Sequence, residues 1–188
     1  MAPILRDIPD QLETERLILR CPRPGDGRQV FEAVCDSIDA LRAWPASLPW
    51  AVFEPKEDAF ERFCREGHVD YLARRNFPLL VFLKSENRYI GGNGLHNVDR
   101  AVPRCEIGYW LRAGYCGRGL ATEASQAATD FALHTLGMRR VASLPDAENR
   151  ASCAVAERAG YQLEGTMRNE RKAPDGRLRH TALYARLA

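Results

Sequence analysis

The sequence predicts one mixed α/β domain of 188 residues built on a single sheet. Three observations carry that expectation. Short apolar runs alternate with longer stretches whose apolar residues recur at helical spacing, in the order β-α-α-β-β-β-α-β-α-β-β. No repeat, low-complexity segment or linker divides the chain. Residues 106–122, EIGYWLRAGYCGRGLAT, pass from an aromatic strand pattern through glycines straight into a helical pattern.

Each element has its own signal. Glu15–Cys21 alternates as a first strand and ends at Pro24-Gly25-Asp26-Gly27. Val30, Phe31, Val34, Ile38 and Leu41 space a helix over 28–42, and the proline-rich 44–55 reads as loop. Lys56–Arg75 is a second, polar helix with Phe60, Phe63 and Leu72. Phe77–Leu83 and Tyr89–His96 are strands joined at Asn87-Arg88, and Arg104–Leu111 is the next strand. Over 118–136 the stripe Leu120, Ala121, Ala124, Ala127, Ala128, Phe131, Ala132 makes the strongest helix, closed by Gly137. A strand over 139–144 follows, then a helix over 149–159 with Asn149 as N-cap and Gly160 as terminator. Tyr161–Asn169 and Leu178–Leu187 are the last strands, around an Asp175-Gly176 turn.

Composition narrows the function. With 27 basic and 25 acidic residues the net charge is only +2, which argues against nucleic-acid binding. The first ten residues lack a basic segment followed by an apolar one, so no export signal is expected, and no run is long and apolar enough for a membrane span. The six cysteines are scattered without a CxxC pair, which suits reduced thiols in a cytoplasm and argues against a metal site.

The stretch Gly117-Arg118-Gly119-Leu120-Ala121 has two readings. It can be a tight turn that uses glycine dihedrals. It can also be a phosphate cradle, because a helix mouth presents free N–H donors and the positive end of the dipole, here with Arg118 as a cation. No Gly-Lys-Ser/Thr follows, which removes a P-loop. Thr122 stands where a dinucleotide fingerprint needs its third small residue, and too much chain precedes the loop for a Rossmann unit.

From Leu12 to Leu187 the chain resembles the GNAT acetyltransferase superfamily, in particular the RimJ/RimL-like branch of ribosomal-protein N-terminal acetyltransferases. The segments that carry the resemblance are LETERLILR (12–20), YIGG (89–92), EIGYWL (106–111), GRGLATEA (117–124), LGMRRV (136–141), NRAS (149–152), ERAGYQLEG (157–165) and LYARL (183–187). The resemblance implies a GNAT-like fold over 1–188: a central, mostly antiparallel sheet flanked by helices, with splayed parallel fourth and fifth strands. It implies acetyl-CoA as cofactor, with no metal. The amides of Gly117, Arg118, Gly119, Leu120, Ala121 and Thr122 would cradle its pyrophosphate. Tyr109, Trp110 and Leu111 would offer main-chain partners to the pantetheine arm, as in β-augmentation. Cys116 departs from the Gln or Arg usual in the family at its position.

Acetyl transfer to an amine needs a neutral amine, donors for the acyl oxygen and a proton for the departing thiolate. Glu106 is the first candidate base, with Glu164, Glu170 and His96 behind it; a strand carboxylate in a salt bridge is the plain alternative for Glu106. The tyrosine that many family members use as proton donor is replaced here by Ala156. The branch's Asn-x-x-Ser is Asn149 and Ser152, which implies that Asn149 contacts the cofactor and that Ser152 hydrogen-bonds the CoA sulfur; a capping role is its alternative. Tyr161 reads as core. A thiol at a helix mouth beside an arginine can have a lowered pKa, so Cys116 could form a mixed disulfide with CoA, although a small filler residue is the simpler reading.

The acceptor side should come from 28–55, the second helix and the loops at 96–103 and 173–177, with Trp44 and Trp50 either lining it or closing the core. Arg168, Arg171, Lys172, Arg177 and Arg179 form a basic cluster, most simply a solvated strand face. The expected activity is acetyl-CoA-dependent N-acetylation of a protein N-terminus or a small amine, with a homodimer as a further expectation. Transfer of a larger acyl group such as succinyl, and a CoA-binding sensor without catalysis, remain as alternatives.

Overall fold

The computed structural model describes residues 3–188, so the first two residues of the export-signal and 1–188 domain expectations lie outside it. Eight strands form one sheet: β1 (Gln11–Glu13), β2 (Leu17–Arg20), β3 (Phe77–Leu83), β4 (Arg88–Asp99), β5 (Arg104–Leu111), β6 (Arg140–Ser143), β7 (Gln162–Lys172) and β8 (Leu178–Leu187). Their order is β1-β2-β3-β4-β5-β6-β8-β7. Every neighbouring pair is antiparallel except β5 and β6, which run parallel. The helices are α1 (Gly27–Cys35), α2 (Ile38–Arg42), α3 (Glu57–Leu72), α4 (Leu120–Asp130) and α5 (Arg150–Arg158). This is the expected mixed fold, with β5 and β6 as the parallel fourth and fifth strands because the first strand is a hairpin.

That hairpin is one of three departures from the sequence pattern. Thr14 makes the turn: its N–H bonds the Leu17 carbonyl at 3.0 Å and its hydroxyl takes the Leu17 N–H at 2.9 Å. The second departure is the break of the 28–42 helix between α1 and α2. There Asp36 pairs with the buried Arg112, and the Ser37 hydroxyl accepts the Ala113 N–H at 3.1 Å, so both residues anchor the segment after β5. The third is the end of the long helix, where 131–135 form a π turn in which the Leu136 N–H reaches the Phe131 carbonyl. Just before it, the buried Thr129 hydroxyl bonds Ser125 O and Tyr161 Oη, both at 2.6 Å. Tyr161 is accordingly a core residue.

Alternation separates the two sides of the sheet. On β3, Phe77, Leu79, Val81 and Leu83 join the core under α4, while Leu80 joins Val30, Ala33 and Val34 of α1. Leu120, Ala124 and Ala128 bury the α4 stripe in the first cluster. On the opposite side α1 and α3 approach closely at Gly27, where a Cβ would lie 2.4 Å from the Glu61 Cα. Glu61 also accepts the Gly25 and Gly27 N–H groups, satisfying donors at the α1 N-terminus.

Candidate active site

β5 and β6 pair only from Arg104↔Arg140 to Ile107↔Ser143. Beyond Ile107 the β5 edge is open over 108–111, while its other edge stays paired to β4 through Leu111↔Gly91. The Arg112 N–H bonds Ile90 O, so strand alternation directs the main-chain groups of Trp110 toward β4 and those of Tyr109 and Leu111 into the gap. Tyr109 and Leu111 thus present an unpaired edge suited to an extended ligand; Trp110 contributes its side chain instead.

The chain leaves this edge through a 3-10 turn (Ala113–Tyr115) and enters α4 across Gly117 and Gly119. Both have left-handed φ, +74° and +77°. Gly119 is the N-cap and no side chain caps it, so the N–H groups of Leu120, Ala121 and Thr122 at the helix mouth have no intrahelical acceptor. The Thr122 hydroxyl is buried beside them without a partner. The mouth is fixed from outside. Arg16 donates to Arg118 O at 3.0 Å and to Glu123 at 2.7 Å, and Thr14 Oγ1 donates to Glu123 at 2.5 Å. The Arg118 guanidinium stacks 5.5 Å from the Tyr115 ring and has no carboxylate partner among the described residues. Uncapped donors, an orphan hydroxyl and an unpaired cation together fit a pyrophosphate.

Across the gap, Asn149 caps α5 by accepting the Ser152 N–H at 3.1 Å. Its side chain therefore has the structural role that competes with cofactor contact. Ser152 Oγ is free of that duty and lies 3.1 Å from Tyr109 Oη, which also donates to Ser152 O at 3.0 Å. Burial raises the Tyr109 pKa, against the opposing pull of its serine hydrogen bonds, so the phenol stays protonated at neutral pH. The sequence marks Tyr109 only as a main-chain partner. Its side-chain contact with Ser152 joins residues far apart in the chain and has no local signal.

Glu106, Gly108 and Trp110 alternate onto the face of α1 and α3. Glu106 lies 3.5 Å from His96 Nε2 on β4, and the hydrogen bond from His96 is the main cause holding its carboxyl below the usual range. It is the salt-bridged strand carboxylate of the plain alternative, ionised, and its partner His96 lines a cleft. That cleft has a volume of ≈ 970 Å³ and runs from Gly108 and His96 outward between α1, α3 and the 3-10 turn Pro49–Val52. Trp50 lines it, 6.0 Å from Trp110. Trp44 lies elsewhere, 6.0 Å from the Arg179 guanidinium, and the loops at 97–103 and 173–177 do not reach the cleft.

The weaker candidates are placed away from this centre. Glu164 is committed to Arg140 on the outer strands, and Glu170 to Thr181 and Arg171. Arg179 is bound by the buried Asp146 at 2.8 Å, so the basic cluster is partly neutralised rather than simply solvated. Partial desolvation pushes the thiol pKa of the exposed Cys116 up, which goes against the reactive-thiol reading and with the simpler filler reading: its sulfur donates to Arg112 O, and Arg118 is turned to Tyr115. Among the described residues there is no cluster of three or more His, Cys, Asp or Glu side chains placed for a metal ion, and no helix is long and apolar enough to cross a membrane.

Comparison with known proteins identifies the family and the fold. Residues 16–162 match the family described as Acetyltransferase (GNAT) domain. YdaF of Bacillus subtilis (strain 168), provisionally named a ribosomal N-acetyltransferase, is 37% identical over 82% of this chain and 82% of its own. The ribosomal-protein-serine acetyltransferase of Escherichia coli (strain K12) is 25% identical over 93% of this chain and 94% of its own. Two further curated N-acetyltransferase relatives are matched over only 60% and 51% of their lengths. The microcin C7 self-immunity acetyltransferase MccE, solved with acetyl-CoA and AMP, superposes with a TM-score of 0.85 at 20% identity, covering 96% of this chain and 98% of the other.

Proposed function

The chain belongs to the GNAT acetyltransferase family, and on that premise we propose that it is an acetyl-CoA-dependent N-acetyltransferase that acetylates a primary amine, a protein N-terminus or a small amine. The observation that carries this is the continuity of two binding elements. The β5 edge opens after Ile107, and the same segment leads into the uncapped mouth of α4. One extended molecule with a phosphate end and an amide-bearing arm satisfies both. MccE, which shares the fold, was solved with acetyl-CoA, and the names of the Bacillus subtilis and Escherichia coli relatives refer to ribosomal acetylation, which supports a protein acceptor.

In this reading, Leu120, Ala121 and Thr122 offer main-chain donors to the pyrophosphate, helped by the loop Gly117–Gly119 and the Arg118 cation. Tyr109 and Leu111 take the arm along the β5 edge. Bound acetyl-CoA would supply an acetyl group activated as a thioester. Ser152, with the Tyr109 phenol 3.1 Å from its hydroxyl, would supply a proton to the CoA sulfur, the phenol standing behind it. Glu106 receives the proton of the incoming ammonium, directly or through water, and His96 keeps it ionised. No residue of the chain needs to be acylated.

The test pairs cofactor binding with turnover. Acetyl-CoA should raise the melting temperature more than succinyl-CoA does, and an amine panel should release thiol with a matching mass gain of one acetyl group. Absence of any acetyl-CoA effect on melting would remove the cofactor assignment.

A further inference from the structure

The cleft on the α1/α3 face has a composition that selects among amines. Its walls are aromatic: Phe60, Tyr89 and Trp110 inside, Trp50, Phe53 and Phe63 toward the rim. The rim rings remain 39%, 74% and 45% exposed, an apolar surface concentrated at one mouth with nothing among the described residues covering it. The charged groups around the mouth are partly paired. Arg42 engages Glu54 and Arg75 engages Asp70, each at 2.7 Å. Lys56, Arg62 and Glu66 also line the cleft and have no ion-pair partner among the described residues, so the uncompensated charge there leans positive. At the inner end His96 is joined to one carboxylate, Glu106, and Gly108 leaves room beside it, its missing Cβ 3.2 Å from the His96 ring.

We propose that the acceptor is a monoamine carried on an apolar, ring-bearing body, with the body held among the cleft aromatics and the amine directed at Gly108 and the His96–Glu106 pair. The inference rests on the acetyltransferase function proposed above and narrows its acceptor. A polyamine needs several carboxylates spaced along its length, and this cleft offers one at its inner end and a positive bias at its mouth. A cationic chain would also leave the exposed rings uncovered. An apolar body covers them and brings a single positive charge to a single negative one.

The experiment uses the full chain with acetyl-CoA and four acceptors: phenethylamine, a tripeptide headed by Phe, the same tripeptide headed by Ser, and spermidine. Thiol release is expected to give a kcat/KM at least about tenfold higher for phenethylamine, the Phe-headed peptide or both than for spermidine and the Ser-headed peptide. The two apolar acceptors separate a free amine from a peptide N-terminus as the source. Phe53→Ala and Phe63→Ala change exposed rings and should raise KM for the apolar acceptors severalfold while leaving KM for acetyl-CoA unchanged. Equal or better turnover of spermidine or the Ser-headed peptide overturns the proposal, as does an apolar preference that survives both substitutions. Acetyl-CoA binding by thermal shift with no turnover of either apolar amine also overturns it and leaves the cofactor assignment standing. Failure of acetyl-CoA to bind at all counts against that assignment instead.

Discussion

Tyr109→Phe removes one oxygen from the gap, and the structure gives what should follow. That oxygen bonds Ser152 O at 3.0 Å and Ser152 Oγ at 3.1 Å. The phenol's one proton makes one of these bonds as donor at a time; at a net ~0.5–1.5 kcal/mol for that bond, the melting decrease is roughly 1–6 °C for a chain this size. The kinetic consequence runs through Ser152. The single phenol proton can go to either serine oxygen; donated to Oγ, it leaves the Ser152 proton free for an acceptor in the gap. Without the phenol the serine χ1 is no longer held, and about three staggered wells share the population. Loss of orientation and of the second donor should lower kcat roughly three- to tenfold with KM for acetyl-CoA little changed. Ser152→Ala should lower kcat by about tenfold or more. The decisive assay is the double-mutant cycle, read as thiol release under saturating acetyl-CoA. If Tyr109 acts through Ser152, adding Tyr109→Phe to Ser152→Ala should change kcat by less than about twofold. Fully multiplicative effects would refute the coupling, and an unchanged rate in Ser152→Ala would reduce that serine to a helix-turn residue.

Three further outcomes follow from the site. Gly119→Val should weaken CoA binding by more than tenfold, because φ is +77° there and a β-branched residue costs about 1–3 kcal/mol in that region; isothermal titration with CoA checks it, and undiminished affinity would falsify the cradle. A Cβ at Gly119 would lie 3.5 Å from Arg16 Nη2, an ordinary contact, so the damage comes from the backbone at the helix mouth rather than from a clash with the chain. Glu106 has a depressed pKa, so the stability it contributes is fully present above the ordinary value of 4.5 and is lost as pH falls through the lower folded value. Glu106→Gln should therefore flatten the acid limb of a stability-pH curve and lower kcat, while the rise of activity at alkaline pH, set by deprotonation of the acceptor, persists. Oxidised CoA should give little adduct at Cys116 near neutral pH, since its sulfur donates to Arg112 O and partial desolvation raises the thiol's pKa although the residue is exposed; a dominant adduct in intact mass would contradict that hydrogen bond.

Most of the fold was legible because its signals are local. β3, β5 and β8 begin and end where their apolar patterns do, and Asn149 and Gly160 mark α5 by capping chemistry alone. The hairpin at Thr14 is made by local turn bonds, whereas the break between α1 and α2 was decided by tertiary partners. Nothing near Asp36 and Ser37 in the sequence says that Arg112 and Ala113 will claim their side chains and break a helix pattern. Arg16 reads as part of a strand, yet it braces α4. The site divides the same way. The glycine turn and the helix start were visible as a motif, whereas the Tyr109–Ser152 contact and the aromatic cleft exist only once β5, α5, α1 and α3 are assembled.

β5 shows why this assembly tolerates little change in register. Among its even positions Gly108 and Trp110 line the cleft and Glu106 reaches it through His96, while the odd position Tyr109 borders the cleft, turns its phenol to Ser152 of α5 and leaves its main chain at the gap. On the proposed function, period-two alternation would let eight residues serve both substrates from opposite faces of one strand. A single inserted residue before Glu106 would exchange the two sets. It would put the Glu106 carboxylate under α4 and α5, where the neighbouring Ile107 is buried, and would move the Tyr109 phenol into the cleft. Burial of an unpaired carboxylate costs several kcal/mol, so the inserted strand would either slip back or unfold. The left edge of the strand resists that slip: β4 pairs with β5 continuously from Gly91↔Leu111 to His96↔Glu106. The paired edge therefore fixes the register that keeps the carboxylate on one face and the phenol on the other, and the open edge is free to bind.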